Sequence, residues 1–442
     1  MSSDLAAVVM AGGLGTRMKS SVPKHLHPLL GRRVVDWVLE TARASGADPI
    51  VVVASPDTRN EYDDDGVVVA VQEHARGTGD AVASAQQALE DFGGAVLVLD
   101  AAAPLVTTGL LTEFVAEHQA GDAAVTILTI ESEEPVPYGR IVRAEDGSVI
   151  EIVEERDADD EQRAISELNS SIYVFEALAL RDALGKLDAR NAQGELYLTD
   201  TIAHIVAAGG GAAAWLADDA AETIGINNRV ELAEAAAVLR DRINEAHMLN
   251  GVTIVDPATT WIDASVELEP DVVLHPFTVL RGTTTVAAGA EIGPHAVAVD
   301  TVICERVSIG PFCYLRPGTV LDPDAKAGTF VELKNARIGA RSKVPHLSYL
   351  GDADVGQDSN IAAGNITANF PHEPGKPKGR TTIGDNVRTG IHNGFVAPVE
   401  VGDEAWIAAG SVITKSVPPG ALAVARARQE NKEGRAGRKR DD

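Results

Sequence analysis

At 442 residues and 45% apolar content, the chain exceeds what one hydrophobic core usually serves and predicts two domains of roughly 200 residues each. A formal charge of −27, the absence of any basic stripe before the short tail Arg435–Arg440, and the absence of any run of about 20 apolar residues exclude nucleic-acid and membrane partners and predict a cytoplasmic protein. Only Cys304 and Cys313 occur, in a segment that reads as buried strand, so reduced core thiols are expected rather than a disulfide framework.

From Leu5 to Ser132, apolar runs at Leu5–Met10, Ile50–Ala54, Val67–Val71, Ala95–Leu99 and Val125–Ile130 alternate with helical periodicity such as Val34, Val38 and Ala42. That alternation predicts an α/β domain with a mostly parallel, doubly wound, Rossmann-like sheet. The first run leads into Ala11-Gly12-Gly13-Leu14-Gly15-Thr16-Arg17-Met18, and Pro23-Lys24 follow. Glycines let backbone N–H groups approach a phosphate chain, and Arg17 and Lys24 can offset its charge. The third glycine of a dinucleotide fingerprint is missing and no Lys-Ser/Thr follows as in a P-loop, so by itself the turn reads equally as phosphate site and as structural loop.

After Asn228, Leu232, Ala236, Leu239 and Ile243 recur at helical spacing with charges between them and predict a connecting helix. Beyond Gly251, aliphatic residues recur every six positions: Leu268, Leu274, Leu280, Val286, Ile292; Ile303, Ile309, Leu315, Leu321; Ile338, Val344, Leu350; and Phe395, Val401, Ile407, Ile413. This period is the hexapeptide signature of a parallel β-helix, whose stacked coils turn the aliphatic positions into an internal ladder. The expected domains are 1–228, a linker helix 229–249, and a β-helix 250–442 ending in the basic tail. Within the coil stand polar residues that a mere spacer does not need: Arg316, Lys334, His346, Tyr349 and Asn360. Arginine and lysine suit a sugar phosphate, and His346, of a residue type that titrates near neutrality, is the candidate general base for an amine.

The glycine turn with Pro23-Lys24 resembles the sugar nucleotidyltransferase signature. Gln72 followed by Gly77-Thr78-Gly79, Gly139 in Pro137-Tyr138-Gly139-Arg140, Glu154 in Ile152-Val153-Glu154, Asn169 in Glu167-Leu168-Asn169, Phe330-Val331-Glu332-Leu333-Lys334 and Tyr349-Leu350-Gly351-Asp352-Ala353 extend the resemblance, over nearly the whole chain, to the GlmU family. These are bifunctional enzymes that acetylate glucosamine-1-phosphate from acetyl-CoA and then uridylylate N-acetylglucosamine-1-phosphate from UTP with Mg2+, supplying UDP-N-acetylglucosamine for peptidoglycan. The resemblance implies that the β-helix is left-handed and that the protein is a homotrimer. It implies catalytic roles for Arg17, Lys24, His346 and Glu332. It places Leu14, Gly15, Gln72, Gly77 and Thr78 at the nucleotide, Gly139, Glu154 and Asn169 at the amino sugar, and Asn227 at the nucleotide and metal. Arg316, Lys334, Tyr349, Asn360, Asn369 and Phe370 would hold glucosamine-1-phosphate, and Ala363, Lys378, Ile391, Ala409 and Arg426 would hold acetyl-CoA.

The chain departs from the family's pattern at chemically important positions. The family's Gly-Asp-x-Pro-Leu supplies the second metal ligand, but here the segment reads Asp100-Ala101-Ala102-Ala103-Pro104-Leu105, with Ala102 at the aspartate's position. An alanine cannot coordinate a hard cation, and Asp100, about 6 to 7 Å away along a strand, is expected to be a poor substitute, so crippled uridylyl transfer is expected. Asn-Tyr-Asp-Gly becomes Asn369-Phe370-Pro371-His372, and the serine of Gly-Ser-Asp-Thr becomes Ile391 in Gly390-Ile391-His392-Asn393. These losses keep open a paralogue acting on another hexose phosphate, or an inactive binding or regulatory trimer.

Overall fold

The computed structural model describes residues 4–13, 15–63, 65–132, 138–371, 373 and 375–434. Leu14, Pro137, His372 and the tail Arg435–Arg440 lie outside the described residues. The chain divides into two compact units, Met1–Leu239 and Arg240–Asp442.

In the first unit, β1 (Leu5–Ala11), β2 (Ile50–Ala54), β3 (Val68–Val71) and β4 (Ala95–Asp100) are parallel, in the spatial order β3-β2-β1-β4. The helices that pack on the sheet are α1 (Val34–Ala44), α2 (Thr78–Ser84), α3 (Thr108–Ala120), α4 (Ala177–Leu184) and α5 (Asp200–Ala207). Strand alternation sorts the core into two layers. Ala7, Val9, Leu97 and Leu99 face Val35, Leu39, Leu111 and Phe114 of α1 and α3. Ala6, Val8, Val96 and Val98 face Val82, Leu180 and Ile205 of α2, α4 and α5. This doubly wound packing is what the alternating runs predict.

The order continues through a strand the periodicity does not reveal. Between β4 and β5 (Val125–Glu131) lies β8 (Glu167–Glu176), antiparallel to both, with a register shift between Asn169 and Ile172. Strands β6 (Arg140–Arg143) and β7 (Val149–Val153) form a hairpin that touches β8. Strand β9 (Ala212–Leu216) pairs with β5 at the sheet's edge. The sequence order reverses direction across β1 and β4, and in an open α/β sheet the crevice outside such a switch point is the ordinary ligand site. Helix α6 (Arg229–Leu249) spans the division between the units.

The second unit is a left-handed parallel β-helix. Register pairs Trp261 with Val279, Val279 with Val297, Val297 with Tyr314 and Tyr314 with Glu332, steps of 17 or 18 residues, which is three hexapeptides per coil. Three ladders result: Leu274-Ile292-Ile309-Ala327-Val344, Leu280-Ala298-Leu315-Leu333-Leu350, and Leu268-Val286-Ile303-Leu321-Ile338-Val355. Ala298 and Ala327 occupy ladder positions that a search for large aliphatics passes over. One step widens to 28 residues, Ile366 to Gly394, where the chain leaves the coil between Asn369 and Arg380. Both cysteines are free thiols. Cys313 is buried as expected, but Cys304 is only half-buried because it lies where its strand leaves the coil wall. No described helix is long and apolar enough to cross a membrane.

Candidate functional site

In the first unit a cleft of about 580 Å³ opens outside the carboxyl ends of the central strands, lined among others by Arg17, Asp100, Tyr138, Asn169, Asn227 and Glu231. Gly15 sits at φ +61°, and a Cβ there would come within 2.8 Å of the Lys24 Cβ, so the loop needs glycine to lay Lys24 across the end of β1. Lys24 Nζ pairs with Asp100 Oδ2 at 3.1 Å, and Arg17 Nη2 donates to Asn227 Oδ1 at 2.9 Å. Each cation of the glycine turn therefore rests on an oxygen of the cleft.

Strand β4 ends at Asp100, so the strand spacing assumed for residue 102 does not apply. Asp100 folds over the following turn and its Oδ1 accepts the Ala102 N–H at 2.9 Å. Ala102 is fully buried among Met18, Leu105, Ile226 and Leu239, and its carbonyl accepts the Ile226 N–H at 2.7 Å.

The nucleotide-segment residues gather beside the glycine turn. Gln72 is buried, donates from Nε2 to the Gly77 carbonyl at 3.1 Å and to Asp80 Oδ2 at 2.9 Å, and its Oε1 stands 2.5 Å from where a Cβ on Gly12 would be. Gly77, at φ +115°, admits no Cβ against the Leu196 carbonyl, and the Thr78 hydroxyl accepts the Leu198 N–H at 3.0 Å. Gly139 packs on Ile152 and its carbonyl accepts the Asn169 N–H at 2.9 Å. Asn169 is itself held, its Nδ2 donating to the Tyr173 hydroxyl at 2.7 Å and its Oδ1 accepting from Ser171 N–H at 3.1 Å. Glu154 does not line the cleft. Burial pushes its carboxyl up from the ordinary range, while the Thr199 hydroxyl, donating at 3.0 Å, pulls it back.

Sequence reasoning missed Tyr138, Asp80 and Glu231. Burial, with the charges of Glu231 and Asp100, raises the Tyr138 phenol. Glu231 accepts the Asn227 N–H at 2.6 Å and the Asn228 Nδ2 at 2.5 Å, and Asn228 Oδ1 accepts the N–H groups of Val230 and Glu231. The Asn-x-x-Glu spacing of a helix start was the legible signal.

In the second unit, consecutive rungs bring Arg316, Glu332, Lys334 and Tyr349 onto one wall. Arg316 Nη1 donates to Glu332 Oε1 at 2.9 Å, so Glu332, for which the resemblance implies a catalytic role, orients the arginine. Lys378, from the widened step, lies against Lys334, and this contact and its like charge hold the Lys334 ammonium below the ordinary lysine range. Asn369 donates to Asp352 and approaches Gly351 together with the Tyr349 hydroxyl. Burial would raise the Asp352 carboxyl, but hydrogen bonds from Asn335 and Asn369 outweigh it and hold the group low. Phe370 is 74% exposed.

The adjacent corner carries the other group. Gly364 N–H donates to the His346 carbonyl, His392 N–H to the Ala363 carbonyl, and Gly410 N–H to the Ile391 carbonyl, so His346, Ala363, Ile391 and Ala409 stand on successive coils. Arg426 Cδ lies 3.7 Å from a Cβ position on Gly410, one coil further. The His346 imidazole and Asn360 are exposed, Ile391 is 49% exposed, and the His392 ring lies over Gly364, which at φ +74° leaves it room. Asn360 bridges the coils of Lys343 and Arg388.

Residues 7–172 match the family model of the MobA-like NTP transferase domain. The chain is 47% identical to the protein named Bifunctional protein GlmU of Mycolicibacterium vanbaalenii, over 99% of this chain and 94% of that one. It is 47% identical to the Streptomyces avermitilis protein of the same name, over 98% and 94%, and 44% identical to that of Trichlorobacter lovleyi, over 99% of both. With two such sites on one chain and identity of this order along its length, the chain belongs to the GlmU family.

Proposed function

We propose that this chain makes UDP-N-acetylglucosamine in two steps, acetyl transfer from acetyl-CoA to glucosamine-1-phosphate in the β-helix unit and uridylyl transfer from UTP to N-acetylglucosamine-1-phosphate in the α/β unit. The observation that carries the reading is the presence of two separate cationic sites, each beside a polar group suited to one of these reactions.

In the acetyl step, Arg316, Lys334 and Lys378 hold the sugar phosphate, and His346 accepts the proton that the glucosamine amine sheds as it attacks the thioester. The contact between Lys378 and Lys334 supports placing Lys378 at the sugar phosphate, not at coenzyme A. Ala363, Ile391, Ala409 and Arg426 line the corner where acetyl-CoA lies, and Tyr349, Asn360, Asn369 and Phe370 border the sugar.

In the uridylyl step, Gln72, Gly77 and Thr78 hold the base side of UTP, while Asn169, on the cleft wall, and Gly139, whose carbonyl holds it, form the sugar side. Arg17 and Lys24 neutralise charge that develops on the phosphates as the sugar-phosphate oxygen attacks the α-phosphorus and pyrophosphate leaves. The donor set fits Mg2+, since Asp100 and Asn227 offer hard oxygens to one cleft. When bound, Mg2+ would polarise the phosphates and offset their charge. Slow uridylyl transfer follows only if position 102 is the sole source of a metal-binding carboxylate. The protein acts in the cytoplasm as a homotrimer, a state supported by a row of exposed rings on the β-helix: Phe277, His295, Phe312 and Phe330 stack with centroids 4.5, 4.8 and 5.1 Å apart.

Two assays on the purified chain test the reading. Free thiol from glucosamine-1-phosphate with acetyl-CoA, and pyrophosphate from N-acetylglucosamine-1-phosphate with UTP and Mg2+, are both expected. Release of neither product overturns it in favour of another hexose phosphate or of an inactive trimer.

A further inference from the structure

Position 102 cannot hold a cation. Its methyl group is packed among apolar side chains, and both its N–H and its carbonyl are engaged, by Asp100 Oδ1 and by the Ile226 N–H. The turn after β4 nevertheless delivers a carboxylate to the cleft. Asp100 is the last residue of its strand, its side chain spans the turn to reach the backbone of residue 102, and it is one-third exposed on the cleft wall.

Its setting is that of a ligand held ready. Asp100 Oδ2 lies 3.9 Å from where a Cβ on Gly225 would stand, and Asn227 Nδ2 donates to the Gly225 carbonyl at 3.4 Å, so Asp100 and Asn227 flank the same glycine. The oxygens of both are covered by cations of the phosphate-binding turn, Asp100 by Lys24 and Asn227 by Arg17. An incoming triphosphate draws Lys24 and Arg17 onto its own oxygens, and the two uncovered side chains then offer a carboxylate and an amide oxygen, both hard donors, beside those phosphates.

We propose that Asp100 is the carboxylate of a divalent-cation site in this cleft, shared with Asn227 and completed by the nucleotide's phosphates and water. The proposal rests on the nucleotide reading of the cleft given above. It deepens that reading by making Asp100, two residues before Ala102, the metal carboxylate, made possible by the strand ending where it does. Glu231 faces the same cleft, but its two oxygens are engaged by Asn227 N–H and Asn228 Nδ2 at the start of α6, where they hold Asn227 in place.

The test is UTP binding by calorimetry, in Mn2+ and in EDTA, to the full chain and to its D100N, D100E and E231Q variants, with melting curves to confirm folding. Because coupling is reciprocal, Mn2+ bound by both protein and nucleotide should tighten UTP binding to the unmodified chain about 5- to 150-fold. D100N should lose most of that gain, while its affinity in EDTA stays equal or rises because Lys24 is released from its partner. D100E should recover part of the gain. An unchanged Mn2+ gain in D100N, or an equal change with and without Mn2+, overturns the proposal by leaving Asp100 as a counter-ion of Lys24. Loss of the gain in E231Q with D100N unaffected also overturns it, in favour of Glu231. No UTP binding by the unmodified chain under either condition would instead overturn the nucleotide reading itself.

Discussion

Two single residues carry charge states that measurement can reach. Lys334 is held below the ordinary lysine range by Lys378, so it loses its proton earlier as pH rises. The KM for glucosamine-1-phosphate should therefore climb on the alkaline side before an isolated lysine would titrate. In K378Q the like charge is gone, and the climb should move to higher pH although the KM at neutrality is worse. An unmoved alkaline limb would show that Lys378 is not what holds the Lys334 ammonium low. His25 lies beside Lys24, fully buried, with an Nε2 that finds no hydrogen-bond partner among the described residues. Burial, and then the Lys24 charge, lower its pKa to about 4. The unfolded chain takes up that proton near pH 6.5 while the folded chain refuses it until about pH 4, so stability present above pH 6.5 is lost as pH falls through this window. The full effect is about 3 kcal/mol. H25L should remove that part of the slope in denaturation curves between pH 6.5 and 4, and an unchanged slope would place the titration elsewhere.

At the scale of elements, the β-helix ladders form one continuous core, with Ile243 of α6 packed against it. Leu333 is fully buried between Leu315 and Leu350 in one ladder, so L333A removes contacts to the rungs on both sides. The expected cost is about 2 to 5 kcal/mol, read as a lowered melting midpoint of the β-helix transition. L268A, at the half-buried end of another ladder, should cost clearly less because its neighbours can close in. Equal losses would show that ladder position does not govern stability. The hexapeptide period makes these ladders legible because each aliphatic residue reports on its own coil. Ala298 escapes the pattern because a small residue satisfies the wall as well as a large one where opposing side chains fill the space.

For the whole molecule, the ring row of Phe277, His295, Phe312 and Phe330 is a feature that a lone chain leaves wet. Exposed rings in register along several coils favour burial against another surface. If these rings build the trimer proposed above, the double substitution F312D/F330D should lower the sedimenting mass toward that of a monomer. A trimer unaffected by the two charges would put the subunit contact on another face.

What the chain determined by itself was whatever repeats locally. Alternating apolar runs specified the doubly wound layers, period six specified the β-helix, and the glycine turn with Lys24 marked one end of a cleft, because spacing along the backbone is enough to decide which way such residues face. The antiparallel β8 was hidden because its ten residues carry the Asn169–Ile172 register shift and are buried by neighbours far away in sequence. The convergence of Lys378 on Lys334, of Glu231 on Asn227 and of Asp100 on the backbone of residue 102 was decided only by tertiary structure. A contact between side chains depends on where a strand stops and how a loop returns, and neither is written in the identity of the residues that meet.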